Sequence, residues 1–139
     1  EAVAKKQAEQ GEKNLREGAA FLAANKSKPG VRETASGLQY QVIRQGSGPM
    51  PKATDKVRVL YKGTLIDGTE FDSSYSRGQP ATFPVNRVIK GWTEALQLMP
   101  IGSKWKLFIP SDLAYGNDGY GKVPGKAVLI FEVGLISIP

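Results

Sequence analysis

The hydrophobic periodicity of this chain changes at Pro29-Gly30, and this change limits the possible folds more than any other feature. In residues 1–26, small and apolar residues recur at spacings of three and four, which predicts a helix. They are Ala4, Ala8, Gly11, Leu15, Ala19 and Leu22. After Pro29-Gly30, apolar and polar residues alternate with a period of two, which predicts strands. The sequence therefore predicts a helix followed by a sheet domain.

The helix over residues 1–26 has a weak apolar stripe, because most of its members are Ala and Gly. An isolated helix of this kind is marginally stable in water. Two interpretations remain open. The helix either continues into a preceding segment or packs on a partner, or it is a solvated linker helix. Because the sequence begins within the helical pattern and without Met, we expect a processed or truncated product.

Four segments after Pro29 show the two-residue alternation of strands. They are residues 38–42, 57–61, 105–109 and 129–135. Turn residues separate the segments, and Asp67-Gly68 between Leu65 and Phe71 is typical of a hairpin. These strands are expected to form one antiparallel sheet.

Residues 91–99 interrupt this pattern, since their apolar side chains recur at helical spacing. The apolar residues are Trp92, Ala95, Leu96 and Met99. The sequence therefore predicts an α+β fold, in which an antiparallel sheet is wrapped on one short α-helix and preceded by an N-terminal helix. We expect the helix and a linker to occupy residues 1–35 and the sheet domain to occupy residues 36–139.

The composition excludes most catalytic chemistry. None of the 139 residues is Cys or His, which removes disulfides, zinc fingers, thiolate nucleophiles and Ser-His pairs. We expect no cofactor and no metal. The net charge is +6 without a dense basic run, so we expect no nucleic-acid binding, but a general preference for unfolded or acidic client chains. No apolar run approaches the roughly 20 residues that span a bilayer.

Aromatic and aliphatic residues are concentrated beside the predicted turns. For Trp92 or Phe131 alone, core packing is the ordinary interpretation. Tyr115 lies at a strand–loop junction, where its hydroxyl can equally face a pocket. Asp72 either caps a turn or pairs with Arg77 across a loop.

Four motifs, in this order, resemble the FKBP-type peptidyl-prolyl cis/trans isomerases. They are residues 59–65 (VLYKGTL), 67–74 (DGTEFDSS), 88–96 (VIKGWTEAL) and 109–116 (IPSDLAYG). The resemblance covers about residues 36–138 and identifies residues 36–139 as an isomerase domain. Residues 1–35 resemble the stalk helix of the bacterial subgroup that includes the macrophage infectivity potentiator.

The resemblance implies an apolar pocket that binds the proline ring of a substrate. The matching positions are Tyr61, Phe71, Asp72, Arg77, Phe83, Val88, Ile89, Trp92, Tyr115, Val123 and Phe131. Trp92 would form the floor of the pocket. The hydroxyl of Tyr115 and the backbone amide of Ile89 would donate hydrogen bonds to substrate carbonyls.

The same resemblance implies roles for four further residues. Asp72 would be the polar group near the twisting amide, held in place by Tyr61 and Arg77. Val123 would supply the apolar contact of the loop after Tyr115. Rotation about an X-Pro bond breaks no covalent bond, so the absence of nucleophiles is compatible with this activity.

The resemblance also implies biological properties. It implies isomerisation of proline-containing peptides and unfolded proteins, assistance to protein folding, and binding of macrolides of the tacrolimus and rapamycin type. We expect residues 1–139 to be mainly monomeric, and a longer protein to form a homodimer through a preceding region. The implied location is the bacterial periplasm or outer membrane, with the cytoplasm as the alternative. A chaperone that only holds its clients and an inert interaction module remain competing hypotheses.

Overall fold

The computed structural model of the protein describes residues 2–74, 78–116, 123 and 125–138, with side chains from residue 11 onward. The predicted stripe positions Ala4 and Ala8 therefore lie outside the described side chains. The helices are α1 (Ala2–Asn25) and α2 (Lys90–Leu98). The strands are β1 (Val31–Glu33), β2 (Gln39–Arg44), β3 (Lys56–Leu65), β4 (Glu70–Ser73), β5 (Ala81–Pro84), β6 (Lys104–Ile109) and β7 (Leu129–Ser137).

The strands of the described residues form one antiparallel sheet with the order β1-β2-β6-β7-β3-β4. The ten-residue strand β3 pairs with β5 along its first half and with β4 along its second half. The α+β prediction is confirmed. The pairing of β3 with β4 confirms the hairpin predicted at Asp67-Gly68. The strands β1 and β5 were not predicted, because a segment of three or four residues is too short to show alternation. The boundary at residue 36 stays a prediction, and β1 precedes it.

One face of the sheet packs on α2 and forms the hydrophobic core. On β6, Trp105, Leu107 and Ile109 share this face, as predicted. Trp92 and Leu96 of α2 are buried against it. The alternation that predicted the strands thus also identified the side of the sheet that α2 covers.

The second half of α1 packs on the opposite face of the sheet. Phe108 lies between Leu107 and Ile109 on β6 and therefore points away from α2. Its ring contacts Phe21 of α1, with the centroids 6.0 Å apart. The helix therefore covers apolar surface that the sheet would otherwise expose.

Polar contacts fix α1 to the sheet domain. Asn25 Nδ2 donates to Gln39 Oε1 at 2.8 Å, and Gln39 Nε2 donates to the carbonyl of Leu22 at 2.9 Å. Asn14 Nδ2 donates to the carbonyl of Gly125 at 2.9 Å. Asn25 and Gln39 are both buried, so their pairing avoids the cost of an unsatisfied amide. This half of α1 is therefore docked on its own chain, which neither interpretation from the sequence anticipated.

The buried face of α1 differs from the predicted stripe. Gly11 of the stripe is buried, as predicted, but Leu15 is 52% exposed, Ala19 is exposed, and Gly18, which lies outside the stripe, is buried. A Cβ on Gly18 would lie 2.7 Å from Val128 Cγ2, so glycine allows the helix to approach the sheet domain closely. The predicted stripe was therefore wrong at Leu15 and Ala19.

Candidate functional site

A concave pocket of about 320 Å³ opens beside α2 on the core side of the sheet. It is lined by Tyr61, Phe71, Asp72, Phe83, Arg87, Val88, Ile89, Trp92, Tyr115 and Phe131. All of these residues except Arg87 were expected from the family resemblance. The fold brings them together from β3, β4, β5, α2, β7 and the connections between these elements.

Trp92 is at the centre of a cluster of aromatic rings in this pocket. Its indole makes edge-to-face contacts with Tyr61, Phe83 and Phe131, at centroid distances of 5.2, 5.7 and 5.1 Å. Aromatic pairs prefer this geometry because the positive edge of one ring meets the negative face of the other. Only 4% of Trp92 is exposed, so the indole is held rigidly among its neighbours.

A glycine on β3 provides the space for two of the pocket rings. A Cβ on Gly63 would lie 2.6 Å from Phe71 Cζ and 2.7 Å from Phe131 Cε1. Phe71 and Phe131 themselves pack edge to face, with centroids 5.4 Å apart. The absence of a side chain at Gly63 therefore permits the ring arrangement of this wall.

Asp72 is the one carboxylate among the described residues that line the pocket. Its Oδ2 accepts a 2.6 Å hydrogen bond from the hydroxyl of Tyr61, and its Oδ1 accepts a 2.9 Å hydrogen bond from the amide of Ser73. Ser74 in turn bonds the backbone of Tyr61, with its amide donating to the Tyr61 carbonyl at 2.9 Å. The carboxylate is thus held in a fixed orientation at the pocket wall.

Val88 and Ile89 connect the 3₁₀ turn Val85–Arg87 to α2. Ile89 is the N-cap residue, and its carbonyl accepts the amide of Thr93 at 3.0 Å. Both side chains are half-buried and face the pocket. The start of α2 therefore places a stretch of backbone as well as two apolar side chains beside Trp92.

Two of the predicted pocket residues, Arg77 and Val123, are not among the described residues that line the pocket. Arg77 lies outside the described residues. Val123 is buried in the hydrophobic core and is not among the described residues that line the pocket. Tyr115 follows the 3₁₀ turn Ser111–Leu113 and lies at the pocket, as expected for a residue at a strand–loop junction.

Arg87 is the pocket residue that sequence reasoning missed. It is exposed and ends the turn that precedes Val88. The family resemblance did not imply a role for this position, and a lone exposed cation forms no sequence pattern of its own. Its position immediately before Val88-Ile89 was the available signal.

Comparisons with known proteins identify the family of this chain. Residues 48–136 match the family described as FKBP-type peptidyl-prolyl cis-trans isomerase. The chain belongs to this family. Residues 1–42 match the domain amino terminal to FKBP-type peptidyl-prolyl isomerase.

Individual relatives support the same family and its subgroup. The chain is 61% identical over 125 residues to an FKBP-type peptidyl-prolyl cis-trans isomerase FkpA of Aeromonas hydrophila, which covers 90% of this chain and 47% of the relative. It is 54% identical over 140 residues to the outer membrane protein MIP of Legionella longbeachae, which covers 98% of this chain and 60% of the relative. The chain therefore spans about half to three fifths of these relatives.

A solved structure confirms the FKBP fold. The crystal structure of FkpA from Escherichia coli superimposes with a TM-score of 0.94 at 42% identity, covering 97% of this chain and 63% of that chain. The resemblance to the FKBP family and to its macrophage infectivity potentiator subgroup is thereby confirmed. Within the described residues, no helix is long and apolar enough to cross a membrane. The same residues hold no cluster of three potential metal-binding side chains.

Proposed function

We propose that this chain is a peptidyl-prolyl cis-trans isomerase that accelerates rotation about X-Pro bonds in peptides and unfolded proteins. The observation that carries the proposal is the indole of Trp92, enclosed by aromatic rings at the base of an open pocket. Membership of the isomerase family supports it.

The barrier to rotation, about 18–20 kcal/mol, arises from amide resonance. Resonance is lost as the bond twists, and the twisted amide is less dipolar than the planar one. A pocket with little water and apolar walls therefore favours the twisted state over the planar state. Trp92 and the rings of Phe83 and Phe131 supply such walls and hold the proline ring while the preceding carbonyl turns.

Hydrogen bonds to the substrate backbone on either side of the proline accelerate rotation if they are stronger for the twisted amide than for the planar amide. We assign one donor to the Tyr115 hydroxyl and another to the backbone amide of Ile89, both at the pocket. Asp72, held by the Tyr61 hydroxyl, is placed to interact with the twisting amide. Each tenfold gain in rate requires about 1.4 kcal/mol of such differential binding.

The proposal is tested by two-dimensional NMR exchange spectroscopy on a peptide with one Leu-Pro bond. Uncatalysed exchange takes tens to hundreds of seconds, so a catalytic amount of protein is expected to produce exchange cross-peaks. Tacrolimus, for which we propose the same pocket as binding site, is expected to abolish them. Absence of acceleration by the folded protein would refute the isomerase function and favour a chaperone that only holds its clients.

We further propose that residues 1–139 are mainly monomeric and that a longer protein dimerises through a preceding region. The buried positions of α1 face its own sheet domain, and Leu15 is the large apolar side chain that this helix exposes within the described part of the chain. The relatives are longer than this chain. Sedimentation velocity on both lengths tests the proposal, and a stable dimer of residues 1–139 would contradict it.

For location, we propose the bacterial periplasm or outer membrane. The name of the Legionella longbeachae relative, an outer membrane protein, supports this. Fractionation of the source cells with an antibody to this chain tests it, and recovery in the cytoplasmic fraction would establish the alternative.

A further inference from the structure

A single cation lies on the rim of the pocket among the described residues that line it. Arg87 ends the 3₁₀ turn Val85–Arg87 and precedes Val88 and Ile89, which form part of the pocket wall. The remaining described lining residues are aromatic or aliphatic, apart from Asp72. The positive charge of Arg87 is therefore carried by an exposed side chain that lines the pocket.

The backbone that carries Arg87 is firmly anchored. Val85 is fully buried, and its amide donates to the carbonyl of Asp55 at 2.9 Å. Its carbonyl accepts the hydroxyl of Thr93 at 2.7 Å. The turn is thus fixed on one side to Asp55, the residue before β3, and on the other side to Thr93 of α2, so the side chain of Arg87 extends from a defined point of the backbone.

Arg87 makes no ion pair among the described residues, where the one salt bridge within 4 Å joins Lys13 and Glu17. The pocket carboxylate of Asp72 accepts hydrogen bonds from Tyr61 and Ser73 instead. The guanidinium is exposed, so its donors are accessible to a carboxylate from a substrate chain.

We propose that Arg87 gives the pocket a preference for X-Pro segments with an acidic residue directly beside the proline. This inference rests on the proposed isomerase function. Consecutive Cα atoms are about 3.8 Å apart, so a neighbour of a proline held against Trp92 lies near the rim of the pocket. A guanidinium and a carboxylate form paired, charge-assisted hydrogen bonds. Because the pair is exposed, the expected preference is modest, about two- to fivefold in kcat/KM.

Lys90 provides a matched control. It is also exposed, lies three residues along the chain at the first position of α2, and does not line the pocket. The substitutions Arg87→Gln and Lys90→Gln remove the same charge from nearby positions. Only the first is expected to change how the pocket distinguishes charged substrates.

The experiment measures kcat/KM by NMR exchange for peptides that carry Glu, Gln or Lys directly before the proline, and for a second series with these residues directly after it. For the wild type, the Glu peptide of at least one series is expected to exceed its Gln counterpart about two- to fivefold and the Lys peptide to be slowest. Arg87→Gln should bring the ratios close to one, Arg87→Glu should reverse them, and Lys90→Gln should preserve them. The preference should also weaken as salt is raised, because exposed charges are screened.

The results separate this inference from the function on which it depends. If the wild type accelerates the Gln peptides without a charge preference in either series, the role of Arg87 is refuted while the isomerase function stands. A preference that survives in Arg87→Gln, or that disappears equally in Lys90→Gln, also refutes it. If the wild type accelerates no peptide, the isomerase function itself fails and the inference fails with it.

Discussion

The hydroxyl of Tyr61 donates a 2.6 Å hydrogen bond to Oδ2 of Asp72, and both residues line the aromatic pocket. Tyr61 is also in edge contact with Trp92. The polar group of the pocket and its apolar floor are therefore oriented by the same side chain. Substitutions of Asp72 and substitutions of the aromatic residues are therefore expected to affect the same isomerase activity.

Replacing Asp72 by Val is expected to lower kcat/KM about tenfold, because the fixed carboxylate beside the substrate amide is lost. The fold should persist, since Asp72 is only partly buried. Circular dichroism and the NMR exchange assay check both statements. Asp112→Val is the control, because it removes an exposed carboxylate outside the pocket lining. Unfolding of Asp72→Val at ordinary temperature would instead identify Asp72 as a structural residue.

Replacing Gly63 by Ala is expected to disturb the pocket wall. The new Cβ would overlap Phe71 and Phe131 at 2.6 and 2.7 Å, and such overpacking costs about 1–3 kcal/mol. Tacrolimus affinity and kcat/KM should both fall. In the control Gly134→Ala, the nearest atom to the new Cβ is the Leu60 carbonyl oxygen at 3.7 Å, an ordinary contact. Equal effects of the two substitutions on tacrolimus binding would contradict this account of Gly63.

Replacing Gly18 by Leu is expected to separate α1 from the sheet domain, because even a Cβ there would lie 2.7 Å from Val128 Cγ2. A loss of about 1–3 kcal/mol in the free energy of unfolding is expected from overpacking. Urea unfolding and amide hydrogen exchange in α1 provide the measurements. Ala19→Leu changes the adjacent, exposed position and should have little effect. If the amides of α1 exchange as slowly in Gly18→Leu as in the wild type, the helix is not packed tightly against the sheet domain at Gly18.

The hairpin between β3 and β4 should contribute a pH-dependent stability. The amide of Thr69 donates to Asp67 Oδ1 at 2.9 Å, and this hydrogen bond lowers the pKa of Asp67 below its usual value. A carboxyl whose pKa is lower in the folded state stabilises the fold above its unfolded pKa, about 3.9, and loses this effect as the pH falls through the folded pKa. Asp67→Ala should therefore be less stable than the wild type at pH 7, with the difference shrinking below about pH 4. Thermal unfolding measures this difference. If the difference in stability between the wild type and Asp67→Ala does not change with pH, the ionised Asp67 carboxylate does not stabilise the turn.

The sequence predicted the elements whose patterns are long enough to repeat. The six residues of β6 and the nine residues of α2 each place several apolar side chains on one face. The face of α1 was mispredicted because it is buried through close approach at Gly18 and through amide pairing of Asn25. A search for large apolar residues does not detect such contacts, which depend on the shape of the surface they meet.

In the candidate site, too, some residues were predicted from the sequence and others were not. The aromatic positions around Trp92 were proposed from the family resemblance, and the fold brings them into one pocket. Nothing in the local sequence placed Gly63 beside them, since its importance depends on rings that come from β4 and β7. Arg87 was not predicted, because the role of an exposed cation depends on the cavity beside it, and the sequence does not show that cavity.

The two tryptophans of the chain allow the most direct test of the proposed mechanism. Each is 4% exposed, and each has an indole N–H without a hydrogen-bond partner among the described residues. Trp92 lines the pocket, whereas Trp105 stacks on Tyr40 at 4.5 Å and does not line it. Replacement of either by Leu is therefore expected to cost comparable stability. Trp92→Phe and Trp105→Phe are milder versions of the same pair if the Leu variants do not fold.

The decisive measurement is kcat/KM for a Leu-Pro peptide, obtained by NMR exchange spectroscopy on the folded wild type, Trp92→Leu and Trp105→Leu. We predict clear acceleration by the wild type, a loss of at least about tenfold in Trp92→Leu, and a change within about twofold in Trp105→Leu. A wild type that does not accelerate exchange, or two variants that lose activity equally, would contradict the claim that a pocket with an indole floor lowers the barrier to prolyl rotation.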